Sequence, residues 1–467
     1  MKTLEQHIPD SASLGLMQAM LLGDEVHFSD ELRQLYADTG IIHIVAISGS
    51  HVAIFFVFTN ALLFFIRRRR HQWVKYLLAI PLIWIYVMAA GAPSSAVRAA
   101  VMFSIAGMGV MLGRSQNAMN TLFATAFLML CVQTGWLFHL GFQLSFIAVL
   151  SIILFYRPLL RLWSPANIVV RRLWQTACVS MAAELLIAPL VIYYFHLLPA
   201  TFLVANIVAY LFMGMVLAAG VLLIICGKLP VLATAIGCCI TWLVQIFNTV
   251  TQWLHKLNPP SFSYLHLTEV QLLWVYLIIC SLSGYLILKK TSGLIVALSA
   301  SCLMTLSLSL ERMEILQQHK FVVYNLGHAG YAELISGAYH HAFLEDKYTG
   351  RSKKKDYAVK GMHVASHAWQ RAAVYEHDLI RIGSKELLLL RSPLQLDSIL
   401  PSQVDYLMLS YPLKSFQGVE LQESFRYKKL IITGDQKRYR MQQWKDSCLK
   451  YNIPVHITSM DGAFILQ

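Results

Sequence analysis

The strongest constraint on this chain is a succession of apolar runs, each about twenty residues long, separated by loops that carry most of that region's positive charge. About 20 apolar residues in a helix cross the hydrocarbon of a bilayer. A helix does so because it pairs its own backbone N–H and C=O groups where no water can. The runs fall at about 42–66, 74–91, 95–112, 118–135, 138–156, 174–195, 201–226, 232–253, 270–288 and 293–310. The expected fold class is an α-helical polytopic membrane protein of about ten spans, followed by a small α/β soluble domain. Composition agrees: 57% of residues are hydrophobic and 13% charged, where soluble domains carry roughly a quarter charged residues.

Charge orients the bundle. Arg67, Arg68, Arg69 and Arg70 close the first run, and a short loop of this kind stays cytoplasmic. Alternation from there puts Arg114, the loop with Arg157, Arg161, Arg171 and Arg172, Lys228, and Lys289-Lys290 on the same side. Ten spans with both termini extracytoplasmic satisfy every basic loop. The eighth run carries Gln245, Asn248 and Gln252, which suit a partly interfacial place, and Asn258-Pro259-Pro260 stops it.

Residues 1–40 form an amphipathic, extracytoplasmic segment in this reading. Leu14, Leu16, Met17, Met20 and Leu21 recur at helical spacing, Gly23-Asp24-Glu25 breaks the pattern, and Leu32, Leu35 and Tyr36 mark a second short helix. The first ten residues lack the apolar core of a signal peptide. Residues 41–312 form the membrane domain. From 319 to 467 the composition turns soluble, with strand-length runs at Phe321–Tyr324, Glu386–Leu390, Tyr406–Ser410, Lys429–Thr433, Val455–Thr458 and Ala463–Leu466, and a helix over Arg440–Lys450. Lys347–Lys355 reads as a solvated basic hairpin tip. The eight cysteines include no C-x-x-C and only Cys448 lies outside the apolar runs, so neither a disulfide framework nor a cysteine metal site is expected.

Polar residues inside the apolar runs are the candidates for function. His43, Ser48, Gly49, Ser50 and His51 crowd the first half of the first run. They either bond neighbouring helices or form an irregular, polar-lined helix start facing a substrate path. Between residues 39 and 310 there are two acidic residues, Glu184 and Glu269, against fifteen Lys or Arg. Arg98 follows the helix start at Ser94 by one turn; it either snorkels to the outer interface or lines the path, where a guanidinium holds phosphate. Glu184 lies near mid-membrane and is protonated, paired or in contact with water, with Arg98 as a candidate partner. Gln143 and Ser145 are neutral groups of the kind that bridge helices, and His139 and His196 lie near outer ends.

The segment His43-Ile-Val-Ala-Ile-Ser-Gly-Ser-His-Val52 resembles the HLLAISGLHV signature of the ComEC family, the inner-membrane channels of bacterial DNA uptake, with Ser50 in place of Leu. Residues 92–102, from a Pro-Ser pair through Arg98-Ala99 to Met102, look like a second family segment. Gly141-Phe-Gln-Leu-Ser-Phe146 looks like a third. The stretch from Pro189 through Phe195-His196 to Ala205-Asn206 looks like a fourth, and Leu21-Leu-Gly-Asp24 resembles the turn before the first span. The resemblance implies a channel that passes one DNA strand into the cytoplasm, with His43, Ser48, Gly49, Ser50, His51, Ser94, Arg98, Gln143, Ser145, Glu184, His196 and Asn206 along the path.

It also implies localisation in the bacterial cytoplasmic membrane. The implied partners are single-stranded DNA, membrane lipid and separate cytoplasmic motor and DNA-receptor or nuclease proteins; a path formed at a homodimer interface stays open. Phe321 to Gly327 resembles the opening strand of the family's metallo-β-lactamase-like domain, and Ile431 to Gln436, Trp444 and Gly462-Ala463-Phe464 resemble degenerate versions of it. No H-x-H-x-D-H follows, and His340, His341, His363, His367 and His377 are not spaced like it. The expectation is a remnant with no metal, no cofactor and no catalytic residue, and hence a channel that is not an enzyme. Two other readings stand beside it: a secondary transporter of a small anion, and an inactive truncated paralogue.

Overall fold

The computed structural model describes residues 2–62, 72–114, 117–257, 265–326, 330–344, 353–368, 370–371, 378–390, 403–409, 426–433 and 438–467. They form two compact units, Met1–Cys280 and Ser281–Gln467. The tetra-arginine loop at 67–70, the Asn258-Pro259-Pro260 stop, the basic residues 347–352, Gly327, His377 and residues 434–436 lie outside the described residues.

Each apolar run contains a helix. In chain order they are α4 (Gly49–Leu62), α5 (Gln72–Ala89), α6 (Ser94–Met111), α7 (Ala118–Val132), α8 (Leu140–Leu160), α9 (Ile168–Phe195), α10 (Phe202–Cys226), α11 (Pro230–Lys256), α12 (Glu269–Leu288) and α13 (Thr291–Gln317). Among the described residues, seven of these, α6 and α8–α13, are long and apolar enough to cross a membrane; α4, α5 and α7 are shorter apolar helices. Several ends differ from the sequence reading. α9 begins six residues earlier than expected, because Asn167 Oδ1 caps it by accepting from Val169 N (2.8 Å) and Val170 N (3.3 Å). Arg171 and Arg172 therefore lie on a helix rather than in a loop. α13 runs on through Glu311 and Arg312 to Gln317, beyond the charged pair expected to stop it.

Three helices precede the apolar runs: α1 (Lys2–His7), α2 (Ser11–Leu22) and α3 (Asp30–Asp38). Their breaks are where the sequence placed them, with Gly23 closing α2 at φ 73°. They pack on later helices of the same unit. Leu16, Met17, Met20 and Leu21 are buried in one apolar core with α10 and α11. Glycines on the facing helices let the backbones close in. A Cβ on Gly237 of α11 would sit 1.9 Å from His7 O, one on Gly227 2.4 Å from Thr3 Cγ2, and one on Gly220 of α10 2.4 Å from Met17 Cε. Farther along, Tyr36 hydrogen-bonds Asn248 and its ring meets Phe247 at 5.6 Å, and Gly40 abuts Pro199 and Phe202. Residues 3–40 thus climb α10 and α11 from the Gly227 turn to the opposite end, along helices about 37 Å long. A second core joins α4 through α8 around Val52, Ile83, Val87, Ala96, Ala100, Met129 and Phe142.

In the second unit two five-stranded sheets are ordered β10-β1-β2-β3-β4 and β5-β6-β7-β8-β9. The strands are β1 (His319–Asn325), β2 (Gly330–Ser336), β3 (Tyr339–Leu344), β4 (Gln370–Arg371), β5 (Leu379–Ile382), β6 (Lys385–Leu390), β7 (Gln403–Leu409), β8 (Arg426–Ile432), β9 (Val455–Ile457) and β10 (Phe464–Leu466). Alternation of side chains across a strand builds four layers. Phe321, Val323, Leu387, Leu389, Met408 and Ile431 fill the space between the sheets. The intervening Leu388, Leu390, Leu407, Leu409, Leu430 and Ile432 face α15 (Arg438–Lys450) through Met441, Trp444 and Cys448. Val322, Tyr324 and Tyr331 face α14 (Lys353–Ser366) through Val359. Covered on both faces, the central strands read as unbroken apolar runs, which is why the sequence revealed them. β2 to β5 and α14 did not stand out. Residues 353–355, expected in a basic hairpin tip, begin α14 instead. A short helix α16 (Thr458–Asp461) links β9 to β10.

Candidate functional site

The first apolar run starts irregularly. Ile42–Ile44 is a single 3-10 turn, and the α-helix begins only at Gly49. Backbone left unpaired in between needs partners inside the protein. Ser95 Oγ, which the sequence did not single out, donates to Ile47 O at 2.7 Å. Ser48 N donates to His51 Nδ1 (3.2 Å), and Ser48 Oγ lies 3.0 Å from the same nitrogen and 2.6 Å from Ser50 Oγ. Because Nδ1 accepts from a backbone N–H, the ring proton sits on Nε2. That nitrogen is buried and has no partner among the described residues.

Arg98 reaches this knot from α6. It is 8% exposed; its Nε donates to Ser145 Oγ of α8 at 2.6 Å, one terminal nitrogen lies 3.6 Å from Met102 Sδ, and the guanidinium stands 5.8 Å from the Phe146 ring centre. The other terminal nitrogen would be 2.9 Å from a Cβ on Gly49, so the guanidinium rests against helix-start backbone that only glycine leaves open. Among the described residues every partner of the cation is neutral. A buried guanidinium with neutral partners and spare N–H donors is a receptor for an anion.

Other candidates fall elsewhere. Glu184 is half-buried on α9 and makes no hydrogen bond or ion pair among the described residues. The expected Arg98–Glu184 pair is not made. α6 packs on α8 while α9 packs on α8 and α10, and Ser145 of α8 takes the bond that Glu184 was expected to take. His43 Nδ1 lies 3.2 Å from Gly40 O, and Gln143 Nε2 donates to Leu137 O at 2.9 Å, a local turn rather than a bridge. A Cβ on Gly141 would come 3.2 Å from Ser94 Oγ, so α6 and α8 start side by side. His196 closes α9 at φ 57°, with Nδ1 3.2 Å from Leu265 O and its ring stacked on His266. Asn206 Oδ1 on α10 is buried without a partner among the described residues. Six of the twelve candidates therefore converge: Ser48, Gly49, Ser50, His51, Arg98 and Ser145.

The second unit holds a cluster that sequence reasoning missed. Glu333 of β2 is 0% exposed, and both its carboxyl oxygens lie 2.9 Å from His363 Nε2 on α14. Tyr324 donates to one oxygen and Tyr331 to the other at 3.3 Å. Burial first, then the neighbouring carboxyl, holds the Tyr324 hydroxyl well above its usual range, so it stays a donor. The His340 ring centre is 4.1 Å from that of His363, and its Nδ1 lies 2.9 Å from Ala368 O. The one available signal was Glu333 at a position where alternation calls for an apolar residue. Within this unit no three His, Cys, Asp or Glu donors converge among the described residues, so they do not fit the metal site of the fold family suggested by the opening strand.

The family model described as Competence protein matches residues 20–290, more than half of the chain, and that described as ComEC C-terminal domain matches residues 321–467. The chain is 33% identical over 192 residues to ComE operon protein 3 of Bacillus subtilis (strain 168). That alignment takes in 40% of this chain and 23% of the relative, so it covers about a quarter of the relative's length. No solved structure matches.

Proposed function

The chain belongs to the ComEC family of competence proteins, and on that premise we propose that its membrane unit conducts DNA across the bacterial inner membrane during natural transformation. The observation that carries this reading is Arg98, a buried cation whose partners among the described residues are neutral, set against the start of α4. In a membrane region with two acids, a polyanion meets little repulsion, and one guanidinium among hydroxyls holds a phosphate loosely enough for the next to replace it. A single strand fits this reading better than a duplex, because exposed bases stack on aromatic rings such as Phe146. We propose further that the chain does not cut the strand: His363 is engaged by Glu333 and His340 by Ala368, which leaves cleavage and pulling to separate proteins.

For orientation we place the basic turns, including Lys228, in the cytoplasm and the carboxy-terminal unit outside. For the amino end we propose the side opposite to the expected extracytoplasmic one. Thr3 lies at the Gly227 turn, beside Lys228, so the same charge rule puts α1 on the cytoplasmic side.

The test is natural transformation in a strain deleted for the gene, with electroporation of the same DNA as control. Loss of transformation with electroporation intact, restored by the wild type but not by R98A, supports both the channel and its arginine. Restoration by both discards the role of Arg98. Unchanged transformation in the deleted strain removes DNA import. One observation favours a second reading, a proton-coupled transporter of a small anion: Glu184 has no partner among the described residues. E184Q separates the two, because the channel reading expects transformation unchanged within about twofold.

A further inference from the structure

The hairpin of α8 and α9 ends in a surface that DNA conduction does not use. Ser151 Oγ bonds Ala182 O across the pair, and Trp163 meets Trp174 edge-on at 5.4 Å, so the helices run antiparallel with their ends level. Arg157 is in the last turn of α8 and Arg161 caps it, while Arg171 and Arg172 lie at the start of α9. All four are exposed, and none of their side chains has a hydrogen bond or ion pair among the described residues. Apolar side chains alternate with them in space: Leu162 is 73% exposed, Trp163 53%, Ile168 56% and Val169 63%.

That mixture selects its surroundings. Water would leave four large apolar side chains exposed at one tip. A nucleic acid would use the arginines and the tryptophan and leave the aliphatic residues without a role. The boundary between headgroups and acyl chains takes both, with guanidiniums on phosphates and Leu, Ile, Val and Trp at glycerol depth. We propose that the α8–α9 tip is a binding site for anionic phospholipid of the cytoplasmic leaflet, which fixes the depth of this helix pair in the membrane. The proposal needs α8 and α9 to span the bilayer, and it holds whether or not the chain conducts DNA.

Native mass spectrometry of the full chain, released from nanodiscs of phosphatidylcholine and phosphatidylglycerol, reads the site directly. Each basic residue near an anionic surface changes binding about fivefold. R171Q/R172Q is therefore expected to retain about 25-fold less phosphatidylglycerol at unchanged phosphatidylcholine, while R171K/R172K retains nearly the wild-type amount. The lysine variant also reports that the hairpin still folds. Equal retention by the wild type and the glutamine variant overturns the proposal. So does the case in which the glutamine variant loses binding of a thymidine oligonucleotide in neutral detergent and keeps its phosphatidylglycerol.

Discussion

Among the described residues each unit buries one Asp, Glu, Lys or Arg side chain, and the two are treated in opposite ways. Glu333 in the sheet unit is surrounded by donors: two tyrosine hydroxyls and an imidazole nitrogen meet its two oxygens. Arg98 in the helical unit is met by a serine hydroxyl, a thioether and an aromatic face, and keeps donors in reserve. A buried group whose valences are filled holds a fold together, and one whose valences are left open is ready for a ligand. His51 Nε2, buried without a partner among the described residues beside the same helix start, extends the open side of the contrast.

The contrast breaks most visibly at Glu333. E333A leaves Tyr324, Tyr331 and His363 without their acceptor and is expected to cost about 3–5 kcal/mol of stability, read as faster hydrogen exchange of β1 and β2 amides. Protection equal to the wild type would make Glu333 a group of no structural weight. R98A should do the reverse. Transformation falls by about 100-fold, while the unfolding free energy of the membrane unit changes by about 1 kcal/mol or less, because an unpaired buried charge stabilises little.

S145A comes next in size. It removes the bond to Nε, worth about 1.5–3 kcal/mol for a charged donor, and lowers transformation several-fold, with S145T restoring it. If S145A is silent, Arg98 is held by packing alone. The smallest effect is expected at Asp405, a half-buried counterpart to Glu333. A hydrogen bond from Lys428 at 2.6 Å, then one from Glu386 N, holds its carboxyl below the usual value of 3.8. A lowered folded value contributes stability above pH 3.8 that is lost as pH falls further. A thermal-midpoint profile from pH 5 to 3 should therefore be slightly flatter for D405N than for the wild type.

What the sequence made legible follows the same division. Ten helices could be read because membrane spans announce themselves by composition, and the central strands β6, β7 and β8 because burial on both faces makes them uniformly apolar. α2 was read as amphipathic because its apolar spacing is real, yet Ser13, Gly15 and Gln18 are buried as well, so no polar face exists. The meaning of Gly220, Gly227 and Gly237 depends on α1 and α2 arriving from some two hundred residues away, which no local pattern records. The same holds at the site. Arg98 and Ser145 were singled out as odd residues in apolar runs, but their bond to each other, and the fit of the guanidinium on Gly49, are products of helix packing. His363 and Glu333, 30 residues apart, meet only because α14 folds back over β2.

The glycine-lined bed of α1 and α2 has a consequence for how the chain is born. Residues 3–40 pack on helices that are synthesised some two hundred residues later. At about 5–20 residues per second they wait roughly 10–40 s for the surface that covers them. During that interval Leu16, Met17, Met20 and Leu21 have no native neighbour from α10 or α11, and the nascent chain depends on an insertase or the lipid itself to hold them. Completion of the first unit is therefore a late closing step, in which residues 3–40 are seated by helices made some two hundred residues after them.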